Sequence, residues 1–152
     1  MNTVKKARIR VSLGALLVAS VSLLSACLHS TEAQPSLLQL NGSWNYTGVQ
    51  TGPVRETLTG RLTISRESGT SFQGRLHLLG SNTQTGETRV LDGVVSGSES
   101  APQIIDFDAD LESTPRRHVG QIVADTITGT WIGSSSGGTM SSGTFRVERE
   151  TR

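Results

Sequence analysis

Gln103-Ile104-Ile105-Asp106-Phe107-Asp108-Ala109-Asp110-Leu111-Glu112 alternates without a break, with Ile105, Phe107, Ala109 and Leu111 on one side and Asp106, Asp108 and Asp110 on the other. A period of two belongs to an extended strand with one apolar face and one wet face. Upstream, the same period runs through Ser43–Gln50, Glu56–Arg66, Ser71–Leu79 and, less cleanly, Glu87–Ser96, where Val90, Leu91, Val94 and Val95 put apolar side chains on both faces. Downstream it continues through Arg116–Asp125, Ile127–Gly133 and Gly143–Glu150. Trp44, Tyr46, Leu58, Leu62, Ile64, Phe72, Leu76, Leu78, Ile127, Trp131, Phe145 and Val147 join the inward set.

Turn chemistry separates these runs: Glu67–Thr70, Asn82–Gly86, Ser96–Pro102, Ser113–Pro115 and Ser134–Ser142 are rich in Gly, Pro, Ser and Asn. Beyond residue 26, no segment spaces its apolar residues as a helix does. Eight short strands with short links predict an all-β domain over 41–152, an eight-stranded antiparallel up-and-down barrel that leaves no free sheet edge. Gly60, Gly74 and Gly129 fall on the inward side, where a small barrel bends its strands. An open sandwich is the competing closure. The inward set either fills the barrel or lines a small cavity.

The first 26 residues have another character. Lys5, Lys6, Arg8 and Arg10 form a basic start, and Val11–Leu24 is uncharged and mostly apolar. That run is shorter than the ~20 residues of a spanning helix and fits the central part of an export signal. Ile9 separates the two arginines, so a twin-arginine signal is not indicated. Leu24-Ser25-Ala26-Cys27 follows, with the chain's single cysteine. These four residues resemble the lipobox of bacterial lipoproteins. The resemblance implies cleavage between Ala26 and Cys27 and a diacylglycerol on the Cys27 thiol, which anchors the protein to a membrane. It sets out a signal-peptide helix at 1–26, a lipid-anchored tether at 27–40 and the barrel after it. Leu28, in place of an aspartate, resembles the outer-membrane class, facing the periplasm in a Gram-negative host.

Cleavage there changes the charge. Four of the 14 cations leave, so 10 arginines face 13 acids and the net charge falls from +1 to −3. Nucleic-acid binding loses its electrostatic basis, and one lipidated cysteine leaves none for a disulfide.

The remaining polar clusters do not assemble a reaction centre. Asp106-x-Asp108-x-Asp110 has Leu111 and Arg117 where a calcium loop needs Gly and Glu, and reads instead as an acidic outer stripe facing Arg116 and Arg117. His77 lies on an outward face, and His118 beside Arg116 and Arg117 forms a basic edge; their spacing is not that of a zinc site. Ser134-Ser135-Ser136-Gly137-Gly138 lacks the Lys and the following helix of a phosphate loop. No catalytic residue, metal or cofactor is expected.

Gly42-Ser43-Trp44, opening the first strand, resembles the G-x-W signature of the calycin barrels (lipocalins, fatty-acid-binding proteins and avidins), and Gly129-Thr130-Trp131 repeats it late in the chain. The resemblance implies that the tryptophan closes one end of the barrel under an arginine of the last strand, Arg146 or Arg149, with Trp44, Tyr46 and Trp131 as closing or cavity residues. With two tryptophans and six aromatics in all, the chain lacks the ring of tryptophans of an avidin biotin site. The function expected is a non-enzymatic, lipid-anchored envelope barrel that binds a small apolar ligand or an envelope protein. A protease or lysozyme inhibitor working through the rim loop Gly133–Gly143, and a structural envelope component, are the alternatives.

Overall fold

The computed structural model describes residues 39–112, 114–134 and 138–151. Ala26, Cys27, the signal-peptide helix and most of the tether lie outside the described residues. Eight strands are described: β1 Gly42–Gly52, β2 Glu56–Ser68, β3 Ser71–Asn82, β4 Thr88–Ala101, β5 Ile104–Leu111, β6 Thr114–Val123, β7 Thr126–Ser134 and β8 Met140–Arg149. Each pairs antiparallel with the next, and β8 returns to β1, with Trp44 opposite Arg149 and Gln50 opposite Gly143. The sheet is a closed barrel and not an open sandwich.

Closure follows from the alternation. Every residue of the inward set is buried, and Leu40, Leu91, Val95 and Ile122 join it. On β4 the ambiguity resolves to Leu91 and Val95 inside, with Val90 and Val94 outside. Each large apolar side chain removed from water contributes about 1.5–3 kcal/mol, so reversing one strand would expose several at once. Gly60, Gly74 and Gly129 face inward as expected, at tight crossings: a Cβ on Gly129 would sit 2.0 Å from the Val119 carbonyl. Register shifts at Ser65, Thr51 and Ser100 mark bulges that let long strands curl.

Three expectations change. Ser96–Pro102 is not a turn: β4 runs on through Ala101, pairing Gly97 with Phe107 and Ser98 with Asp106. Gly97 leaves room for the rings of Phe72 and Phe107, whose centroids are 6.1 Å apart. Thr114 and Pro115 belong to β6, with Glu112 at φ 50 making the turn before it. The long rim loop shrinks, because Ser134 still pairs with Met140 and Gly133 with Ser141.

Candidate ligand site

The links after β2, β4 and β6 gather at one end of the barrel, and those after β1, β3, β5 and β7 at the other. The first end is closed. Gly42 enters β1 at φ 129, a backbone region glycine tolerates far better than other residues. That delivers Trp44 into the barrel at 0% exposure, where its indole Nε1–H donates to the Leu40 carbonyl at 2.9 Å. The Arg149 guanidinium lies 4.1 Å above the Trp44 ring. All its nitrogens are engaged: Nε with Asp125 Oδ1 at 2.8 Å, Nη1 with the Asn41 carbonyl at 2.9 Å, and Nη2 with the Gln39 carbonyl.

Rings fill the middle. The His118 imidazole stacks on Phe107 at 4.4 Å and meets Phe145 edge-on at 5.1 Å, while Tyr46 stacks on Phe145 at 5.9 Å. The Arg116 carbonyl, 3.1 Å from His118 Nδ1, can only accept, so Nδ1 carries the hydrogen. Nε2 then accepts from the Tyr46 hydroxyl at 3.3 Å. Burial pushes His118 down to about 3, and burial pushes the Tyr46 phenol well above its ordinary range. Both rings are buried and bonded to each other, so this pair packs the barrel with its polar atoms satisfied.

At the other end the polar groups are not saturated. Arg116, 4% exposed, places its guanidinium 4.5 Å above the Trp131 ring. Two glycines make this fit: a Cβ on Gly133 would fall 2.8 Å from Arg116 Cγ, and one on Gly143 would fall 2.7 Å from Trp131 Nε1. Arg116 Nε, Arg116 Nη1 and Trp131 Nε1 are buried donors without an acceptor among the described residues. Gln50, in register with Gly143, donates Nε2 to the Val54 carbonyl at 2.9 Å but leaves Oε1 buried without a donor. Glu56, the buried carboxylate of this end, is taken on both oxygens by Arg89, at 3.1 and 2.7 Å. Burial and the nearby Arg89 charge hold Arg116 below the ordinary guanidinium range; it remains a cation at neutral pH.

Trp44 and Trp131 therefore lie at opposite ends, with Tyr46 between them. Arg146 does not cap Trp44: it stands on the outer face, 2.5 Å from Glu148, because its position on β8 has outward parity, and Arg149 covers the ring. Arg116 and His118 depart from the expected basic outer edge, since β6 turns its even-numbered residues inward. Arg117 alone meets the acidic stripe, bonding Asp106 at 3.1 and 2.5 Å. His77 is exposed and bonds Asp92 at 2.6 Å, on the opposite side of the barrel wall from His118. Among the described residues no group of three or more His, Cys, Asp or Glu gathers as for a metal ion.

No protein-family model and no curated protein sequence matches the chain. Among solved structures, the barrel is similar to EF1p2_mFAP2b bound to DFHBI, at 14% identity and a TM-score of 0.60, covering 73% of this chain and 94% of that one. It is similar also to a de novo designed fluorescence-activating β-barrel, at 15% identity and a TM-score of 0.53, covering 72% and 93%. The bradavidin2–biotin complex matches at 16% identity and 0.50, covering 75% of this chain and all 100% of that one. At these identities the likeness is one of fold alone, a closed antiparallel β-barrel.

Proposed function

We propose that this protein is a non-enzymatic binding barrel, held in a bacterial cell envelope by lipid on Cys27, which takes a small ligand at the Arg116–Trp131 end. One observation carries the reading: of five buried side-chain atoms without partners among the described residues, four, Gln50 Oε1, Arg116 Nε, Arg116 Nη1 and Trp131 Nε1, lie at that end, and the fifth, Glu99 Oε2, lies at the other. A buried polar atom left unpaired costs about 1–3 kcal/mol, so a fold that keeps four together gives up stability that a bound molecule restores. Small-molecule binding by barrels of this architecture, DFHBI in one and biotin in another, supports the reading from outside the chain. The anchor rests on Leu24-Ser25-Ala26-Cys27, and Leu28 favours the periplasmic face of the outer membrane.

Native mass spectrometry of the protein, extracted in detergent from the bacteria that make it, tests the binding. A co-purifying small molecule that leaves on denaturation is expected, and a bare protein mass in every preparation would refute it. For the anchor, labelled palmitate should enter the wild-type chain and not Cys27→Ser. Equal labelling of the two, or labelling of neither, removes Cys27 as the lipid site.

A further inference from the structure

We infer that the Arg116–Trp131 end of the barrel receives a carboxylate, an inference that rests on that end being the ligand site. The barrel contains the same chemical pair twice, an arginine lying over a tryptophan, at 4.1 Å for Arg149 on Trp44 and at 4.5 Å for Arg116 on Trp131. Each tryptophan follows a glycine by two residues, and each sits inside the wall at 0–1% exposure. The two pairs differ in their acceptors. At the closed end, the Asp125 carboxylate and the Asn41 and Gln39 carbonyls take the guanidinium, and the Leu40 carbonyl takes the indole. At the other end, no guanidinium nitrogen of Arg116 has a hydrogen bond among the described residues, and neither does the Trp131 indole.

The sign of the imbalance selects the ligand chemistry. Three buried donors, two of them cationic, face one free acceptor, Gln50 Oε1. No carboxylate lies within 4.0 Å of Arg116 among the described residues, and Glu56 is bound to Arg89. Glu56 and Glu112 act on the Arg116 charge only from a distance; a buried guanidinium without a contacting acceptor is disfavoured, and a planar anion that can accept from its fork and from an adjacent N–H corrects charge and hydrogen bonding together. Nε and Nη1 lie on different edges of that fork, so either edge can seat a carboxylate, with the unpaired Trp131 N–H as a further donor beside it. Gln50 Oε1 then accepts from a protonated or N–H group elsewhere on the ligand. His118, Phe107, Phe145 and Tyr46 fill the middle of the barrel, so the carboxylate binds on the outer side of those rings and the body of the ligand lies towards solvent. Either the head of an amphiphile or a soluble organic acid supplies that chemistry.

The chain's two tryptophans give two indole N–H signals, one at each end of the barrel. We would titrate the 15N-labelled, detergent-solubilised full chain with benzoate against benzamide, and with octanoate against octanamide, assigning the signals with Trp131→Phe. A saturable shift of the Trp131 signal by a carboxylate is expected, with Trp44 unmoved and the matching amide at least about tenfold weaker. Tighter binding of octanoate points to an amphiphile and tighter binding of benzoate to a soluble acid; both support the inference. Arg116→Gln should abolish the preference for the acid. The wild-type comparison decides the matter even if that variant fails to fold. Equal shifts by acid and amide would overturn the carboxylate while leaving a small-ligand site. No shift by any of the four overturns the carboxylate too, and with a bare native mass it takes the small-ligand reading down as well.

Discussion

Acid should destabilise this barrel chiefly through His118. The ring is fully buried, gives its Nδ1–H to the Arg116 carbonyl and accepts the Tyr46 hydroxyl on Nε2, so both nitrogens are committed while it is neutral. A second proton would turn Nε2 into a donor facing a donor and add charge beside Arg116. Burial pushes the ring down to about 3, against about 6.5 for an unfolded histidine. Between these values the unfolded chain binds a proton that the folded chain refuses, so the penalty is absent above about pH 6.5 and grows as pH falls towards 3. At pH 4.5 it amounts to two pH units at 1.36 kcal/mol each, or roughly 3 kcal/mol. For a domain of this size that is about 10 °C in Tm. Urea unfolding followed by circular dichroism at pH 7 and pH 4.5, in wild type and His118→Phe, isolates the effect, because carboxylates titrate in both proteins and cancel. The variant is expected to be weaker at pH 7, since Tyr46 loses its acceptor, yet to lose about 2–3 kcal/mol less on acidification. Parallel losses in the two proteins would show that His118 is not the buried neutral base described above.

Arg149→Ala removes a stacked guanidinium and strands the Asn41 and Gln39 carbonyls, and should cost about 2 kcal/mol by urea midpoint. Arg146→Ala breaks an exposed pair with Glu148 and should cost no more than about 0.5 kcal/mol; the reverse order would mean that Arg146 closes the barrel. Gly129→Ala forces a methyl to 2.0 Å from the Val119 carbonyl and 2.5 Å from Gly120 Cα, so a loss of about 3 kcal/mol or more is expected. Gly69→Ala, with open space around it and only a φ of 59 to oppose it, should cost about 1 kcal/mol in the same assay.

The barrel was legible because burial has a period of two and the strands keep that period for most of their length. Ile105, Phe107, Ala109 and Leu111 could only be one wall face, since the alternate assignment would bury three aspartates. Composition failed where packing decided instead. Gly97-Ser98-Glu99 has the makings of a loop, but β5 offers it a continuous ladder, and Phe107 Cβ and the tip of the Phe72 ring occupy the space that Gly97 leaves. The Gly133–Gly143 stretch misled in the same way, as Gly133 and Gly143 serve to seat Arg116 and Trp131 and do not mark a turn.

The site was hidden by a local conflict on β6. Counting apolar residues there favours the face with Val119 and Val123 over the face with Ile122, yet Val119 is 42% exposed and Val123 61%, while Arg116 and His118 are inside. The parity of β6 is set by its neighbours: Arg116 pairs with Ala109 and Gly133, and His118 with Phe107 and Trp131, all of them inward. A strand that turns two valines out and an arginine and a histidine in is held by the ladder against its own hydrophobic preference. One of the two misfits has an answer within the barrel, in Tyr46 and the Arg116 carbonyl, which leave His118 saturated. Arg116 has none among the described residues, and the matched pair at the closed end shows which acceptors it lacks. Burying a cation without those acceptors is a cost that packing does not explain, and the proposed ligand site therefore falls on the strand whose sequence least resembles a barrel wall.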